Sequence, residues 1–243
     1  MNILILMSGK SEAFKDAGYI YPKNLIEVAS KPLIQHVIEA LTPLKEFAAK
    51  FISVIRQDES RKHYTGKVLK IINPEIKVLE IVRETSGAAC SALLAVDYIN
   101  NDLPLIVTNG DQILLETDIS EIVKKFIEME WDAGVVVFED VHPRWSYVKC
   151  DKNNMVIEAA EKRPISKHAT AGFYYFKKGK DFVAATMEMI NKDAHYNGLF
   201  YICPTLNEMI LRNAKIGIHQ IDRAKYRSLA TPNDVQEYSS NLS

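Results

Sequence analysis

The chain alternates short, uninterrupted apolar runs with longer segments in which apolar residues return every three to four positions. Residues 3–7 are such a run, long enough for a buried strand and too short for a core helix. Pro32 then opens a helix whose apolar face is Leu33, Ile34, Val37, Ile38 and Leu41. Residues 51–55 read as a second strand, Asp58 as the cap of a polar helix to about Ile72, and residues 76–82 as a third strand. A loop over 83–87 leads into a small-residue helix from Ala88 to about Ile99. Residues 105–107 form a fourth strand that stops at Asn109-Gly110-Asp111, and Ile119, Ile122, Val123 and Phe126 mark another amphipathic helix. This alternation over the first ~130 residues predicts βαβ units on a parallel sheet.

The second half reads differently. Short strands are expected at 134–138, 146–149, 155–159 and 171–177, helices at about 180–192 and 200–213, a strand at 215–221 and a last helix from Pro232. The pattern predicts an α/β fold with a doubly wound nucleotide-binding half, about 1–130, and a β-rich acceptor-binding half, about 131–243. With no proline- or glycine-rich linker, low-complexity tract or internal repeat, residues 1–243 read as a single domain.

Composition narrows the class. A chain of 243 residues, 47% apolar and 25% charged, is globular and has enough material for a large core. A formal net charge of −1 leaves no basic surplus for nucleic acid. Cys90, Cys150 and Cys203 lie far apart without CxxC or Cys/His spacing and read as idle thiols of a reducing compartment. No apolar run approaches the ~20 residues that span a bilayer, so no membrane partner is expected. Met1 leads straight into the first strand without a basic n-region, which predicts no leader and a cytoplasmic location. A homo-oligomer stays open.

Candidate chemistry begins where the first strand ends. Ser8-Gly9-Lys10-Ser11 lets backbone N–H groups approach an anion, with the Lys10 charge beside them, although such loops also occur as ordinary turns. Lys23 follows the stiff Pro22 and supplies a second cation. Neither a Walker loop nor GxGxxG is present, since Ser11 and Phe14 occupy the later glycine positions. In open α/β sheets ligands sit outside the carboxyl ends of the strands, where this loop, Glu84-Thr85-Ser86-Gly87 and Asn109-Gly110-Asp111 all fall. Asp111 reads either as a Mg²⁺ carboxylate or as a turn aspartate, and Gly87 either as a seat for a flat base or as a helix-entry glycine. His36, His142-Pro143-Arg144-Trp145 and Arg163 read first as packing, turn and surface residues.

MSGKSEAFKDAGYIYPKNLIEVASKPLIQ, TSGAACSALLA, VTNGD, the EKRP segment within HPRWSYVKCDKNNMVIEAAEKRPISKHATAGFYYF, NGLFYICPTLNE and LATPNDVQEY together carry a resemblance that spans nearly the whole chain. The sequence resembles the sugar-nucleotidyltransferase (NTP-transferase) family, in particular its capsule-locus members, several of them small cytidylyltransferases. The resemblance implies a Rossmann-like, GT-A-type mixed and mainly parallel sheet flanked by helices, and transfer of a nucleotidyl group to a phosphorylated small molecule. It implies Ser8, Gly9, Lys10 and Ser11 around the triphosphate, Lys23 on the α-phosphate, and Thr85, Ser86, Gly87 and Ala88 at the base. It further implies Asp111 on Mg²⁺, and Glu161, Lys162 and Gly172 at the acceptor. The implied partners are CTP or another NTP and a phosphorylated small-molecule acceptor. Departures stand at Ala13 (family arginine), Ser11 (glycine), Leu199 (glutamate) and Ser228 (a second metal aspartate), with Asp222 as the replacement metal carboxylate. A GT-A glycosyltransferase and a silent nucleotide-binding protein are the alternatives; the first lacks support because Asn109-Gly110-Asp111 is not DxD.

Overall fold

A computed structural model describes residues 1–115 and 117–241. The opening apolar run becomes β1 (Asn2–Leu6), buried along its whole length. The loop after it tightens into the short helix α1 (Glu12–Asp16), and a 3-10 turn at Lys23–Leu25 precedes the small hairpin of β2 (Glu27–Val28) and β3 (Lys31–Pro32). There follow α2 (Leu33–Leu41), β4 (Lys50–Arg56), α3 (Gln57–His63), α4 (Thr65–Ile72), β5 (Lys77–Ile81), α5 (Ala88–Leu93), α6 (Val96–Ile99) and β6 (Leu105–Asn109). Next come β7 (Gln112–Leu114), α7 (Ile119–Glu128), β8 (Ala133–Glu139), β9 (Tyr147–Cys150), β10 (Val156–Ala160) and β11 (His168–Phe176). The chain closes with α8 (Gly179–Asn191), α9 (Thr205–Leu211), β12 (Ile216–Gln220), β13 (Tyr226–Ser228) and α10 (Pro232–Ser240).

The fold is Rossmann-like, with a mixed, mainly parallel sheet between helices. β5, β4, β1 and β6 run parallel in that order, β11 lies antiparallel to β6, and β8 and β12 continue beyond β11. β1 explains why its sequence is apolar throughout: Ile3 and Ile5 enter one core with α2, α7 and α10, while Leu4 and Leu6 enter the other with α5, α8 and α9. A strand covered on both faces has no polar side. Strands of both sequence halves share this sheet, because β11 lies directly beside β6.

One irregularity opens the site. Along the edge of β11 away from β8, residues 173–176 pair with β6, but Ala169 pairs with Tyr147 of β9. Between them the register with β8 slips and Gly172 turns left-handed at φ 62. A Cβ there would lie 2.3 Å from Gln112 Oε1, so only glycine lets Gln112 sit against the strand. β6 and β9 thus part company along one edge, and the gap faces the carboxyl ends of the parallel strands.

Several element boundaries differ from those the pattern predicts. The helix expected over 58–72 is two, broken at Tyr64 in the left-handed region (φ 57). α3 buries nothing, whereas α4 buries Thr65 and Leu69, and the break turns α4 towards the core. Asp58 does not cap the helix; it lies in the first turn, with its carboxylate on Arg56 and the Glu59 N–H. The helix expected over 88–99 breaks at Leu94–Ala95, where the chain bonds i to i−3. Residues 200–203 are not helical, because the Phe200 main chain pairs with Ser86 and Ala89 instead. β7 and β13, three residues each, carry no readable pattern, yet their pairing brings Leu229 N–H onto the Asp111 carbonyl at 2.8 Å.

Asp118 caps α7 by accepting from the Ser120 and Glu121 N–H groups, both at 3.1 Å. Asp118→Ala is expected to lower stability by about 1 kcal/mol, the cost of losing such a cap. Urea unfolding monitored by circular dichroism checks this.

Candidate active site

A cleft of about 580 Å³ opens at the carboxyl ends of β1 and β6 and runs to the fork of β11. Parallel pairing of β1 with β6 sets Leu6 beside Asn109, so the loops that follow both strands emerge together. Gly110 N–H donates to the Leu6 carbonyl at 2.9 Å, and a Cβ on Gly110 would lie 2.5 Å from Met7 Cγ. Glycine is what lets the two loops close up. Lys23 and Asp111, 88 positions apart in sequence, meet there with Nζ to Oδ2 at 2.5 Å. Their side chains are 10% and 22% exposed, so the pair sits in the floor of the cleft rather than on its rim. A Cβ on Gly9 would come to 4.0 Å from Lys23 Nζ, so bare backbone borders the ammonium. Asn24 ties this turn to the loop by donating Nδ2–H to the Met7 carbonyl at 3.3 Å.

Beside the pair, three hydroxyls form a chain. Ser8 Oγ donates to Ser91 Oγ at 3.0 Å, and Ser91 Oγ lies 2.6 Å from Thr85 Oγ1. Gly87 adopts φ 110, and a Cβ on it would lie 2.3 Å from the Phe200 carbonyl oxygen. Its missing side chain therefore serves a backbone contact as well as the cleft surface. Lys10 is half exposed and lies between Glu84 (3.2 Å) and Glu12 (3.4 Å), which hold its ammonium above the ordinary lysine pKa, Glu84 contributing most. Ala13 is exposed on α1, outside the cleft.

At the other end Glu161, 8% exposed, accepts from Ser146 Oγ at 2.5 Å. Burial pushes its carboxyl above the ordinary range, with the Ser146 hydroxyl and the Lys162 charge opposing the shift. Lys162 is held in the left-handed region at φ 50, unusual for a residue with a side chain, and its Nζ lies 3.3 Å from Tyr201 Oη. Strain of this kind persists where surrounding contacts over-determine it, and it gathers at binding sites. Trp145 lines the cleft but is fixed from behind: its Nε1–H donates to Asp140 at 2.9 Å and its ring packs on Phe138 and Tyr226. Arg144 and Trp145 thus form part of the cleft wall.

Of the residues singled out in the sequence, Ser8, Gly9, Lys10, Lys23, Thr85, Gly87, Ala88, Asp111, Glu161, Lys162 and Gly172 line this one cleft. Three do not. Ser86 lies on the exposed side of its loop and gives its carbonyl to Phe200 N–H. Ser11 is buried behind the Ser8–Lys10 loop, where its hydroxyl serves the main chain of Lys23. Asp222 lies beyond β12 and caps the Arg223–Lys225 turn through Ala224 N–H at 2.7 Å, away from the cleft that holds Asp111. Arg163 pairs with Glu158 on the surface. Sequence reasoning missed Ser91, Gln112, Ser146 and Tyr201 as lining residues; Gln112, directly after Asp111, and Ser146, directly after Trp145, each had a neighbour to flag it.

Among the described residues no group of three or more His, Cys, Asp or Glu could hold a metal unaided. Mg²⁺ asks for less: one or two carboxylates, with substrate phosphates and water completing the shell. Asp111 fits that donor set, since Lys23 takes Oδ2 and Oδ1 makes no hydrogen bond among the described residues.

A model of the nucleotidyl transferase family matches residues 2–210. The chain belongs to that family. Among curated nucleotidyl transferase relatives, the bifunctional protein GlmU of Methanocaldococcus jannaschii is 32% identical over 181 residues, covering 73% of this chain and 40% of that protein. The UTP–glucose-1-phosphate uridylyltransferase AglF of Haloferax volcanii is 27% identical over 187 residues, 72% of each chain. The chain thus spans less than half the length of the GlmU relative. Among solved structures, a nucleoside-diphosphate-sugar pyrophosphorylase from Vibrio cholerae RC9 gives a TM-score of 0.83 at 24% identity, covering 99% of this chain and 100% of that one. The inositol-1-phosphate CTP transferase of T. maritima gives 0.75 at 16%, covering 99% and 95%. At these identities the likeness concerns the fold.

The raised Glu161 carboxyl means that the folded chain holds this proton more tightly than the unfolded one. The cost of burying the charge is absent below the ordinary carboxylate pKa and fully present once pH exceeds the raised value. Relative to wild type, Glu161→Gln is therefore expected to gain stability as pH rises above the ordinary carboxylate range of about 4. Paired urea midpoints from acid to neutral pH test this; a difference independent of pH would contradict it.

Proposed function

We propose that this protein is a Mg²⁺-dependent nucleotidyltransferase that joins an NTP, with CTP favoured, to a phosphorylated small molecule and releases pyrophosphate. Surface or capsular polysaccharide biosynthesis is the setting that fits its motifs. The observation that carries the reading is the Lys23–Asp111 pair in the floor of the cleft, with the Gly9 backbone beside it and Glu161 and Lys162 at the far end. Membership of the nucleotidyl transferase family supports the reaction class over a glycosyltransferase. The choice of CTP rests on the resemblance to small cytidylyltransferases. The name of AglF supports a phosphorylated sugar as acceptor, whereas Leu199 in the acceptor wall favours a smaller body with fewer hydroxyls, so both belong in the test.

The chemistry asks little of the protein. A phosphate monoester, second pKa about 6, is largely dianionic at neutral pH and needs no general base. One of its oxygens forms a bond to the α-phosphorus while the bond from that phosphorus to the β-phosphate oxygen breaks, and the electron pair leaves with pyrophosphate. Position and charge neutralisation dominate such transfers. In this reading Lys23 meets the charge growing on the α-phosphoryl oxygens, and the Ser8–Gly9 backbone and Lys10 hold the β- and γ-phosphates. Lys162 takes the acceptor phosphate, while Glu161 and Ser146 offer a hydrogen-bonding pair to the acceptor body. Bound at Asp111, Mg²⁺ would supply further neutralisation of the nucleotide phosphates.

Four NTPs against pooled phosphorylated metabolites, with Mg²⁺, should give pyrophosphate from one combination. A glycosyltransferase or a silent binding protein gives none. Lys23→Ala is expected to lower kcat by about 100-fold or more, the scale for one preorganised donor. Near-wild-type turnover would remove Lys23 from the mechanism.

A further inference from the structure

Behind the phosphate loop lies a polar link with no part in the scheme above. Lys23 N–H donates to Ser11 Oγ at 3.2 Å, and Ser11 Oγ–H donates to Glu59 Oε1 at 3.3 Å. Ser11 is buried, and the Glu59 main chain is pinned by Asp58 Oδ1 on its N–H (2.9 Å) and by Thr65 Oγ1 on its carbonyl (3.4 Å). Glu59 Oε2 is buried without a hydrogen-bond partner among the described residues. A half-buried carboxylate with one idle oxygen carries a desolvation cost that a purely structural site avoids by using an apolar residue. The link joins three strand ends: Glu59 follows β4, Ser11 follows β1, and through Lys23 it reaches Asp111 after β6.

We propose that Glu59, acting through Ser11, is the positioning residue of Lys23. The carboxylate accepts a hydrogen bond from the Ser11 hydroxyl, which turns an Oγ lone pair towards Lys23 N–H and fixes the turn from which its ammonium reaches the cleft floor. Serine in place of a glycine at position 11 thus has a role, facing away from the nucleotide. The inference rests on Lys23 serving nucleotidyl transfer, so its test has two separate readouts.

The first is turnover. Ser11→Ala and Glu59→Ala should each lower kcat about tenfold with KM for the NTP little changed, and the double variant should lose no more than either alone. Glu59→Gln, which keeps an acceptor oxygen, should recover most of the rate. The second is acylation of Lys23 by an amine reagent, mapped by mass spectrometry. It should be slow in wild type, where Asp111 shields the amine, and faster in Ser11→Ala and Glu59→Ala. Unchanged Lys23 labelling in both variants overturns the proposal, as do strictly additive losses in kcat. Absence of pyrophosphate from the wild type itself overturns the nucleotidyl-transfer reading, and labelling then still decides whether Glu59 positions Lys23.

Discussion

A partly buried ion pair holds the site together. Lys23 and Asp111 come from loops after β1 and β6, and neither side chain reaches bulk water freely. Taking two charges out of water costs more than their attraction reliably returns, and an apolar pair of similar volume would serve stability as well. In the proposed reading the pair is chemistry kept ready: a cation and a carboxylate partly withdrawn from water where phosphates would bind. Everything near it keeps that geometry. Gly110 lets the two loops close, Asn24 ties the Lys23 turn to Met7, and the parallel register of β1 and β6 sets the spacing.

Much of the fold was legible because burial on two faces leaves an unmistakable mark. β1, β4, β6 and β8 are apolar runs, and α2 and α7 carry their core residues at helical spacing. What escaped was set by long-range contact. The fork of β11 depends on β6 and β9 competing for one edge, and β7 and β13 are too short for any pattern. The helix expected over 200–213 lost its first turn to a main-chain contact with residues 86–89, which no local preference reports.

The site divided along the same line. Residues in the loops that end parallel strands were readable because topology alone sends those loops to one place. Ser146 was not: it follows Trp145, but its tie to Glu161 forms across the β9–β10 hairpin, which no local pattern reports. Ser11 and Asp222 show the converse. Both stand in suggestive sequence, but one hydroxyl is turned inward to Lys23 N–H and the other residue caps a turn beyond β12. Position along a chain says where a side chain starts and not which way it faces.

Gly87 has a wider reach than its own loop. Because the Phe200 main chain lies against it, the Thr85–Ala88 rim and the Leu199–Tyr201 rim are stitched into a single frame. In the proposed reading one rim meets the nucleotide and the other meets the acceptor. Selectivity for the two substrates is then inherited as a package: a change that reshapes one rim is transmitted to its neighbour, and drift towards a new acceptor drags nucleotide preference along with it.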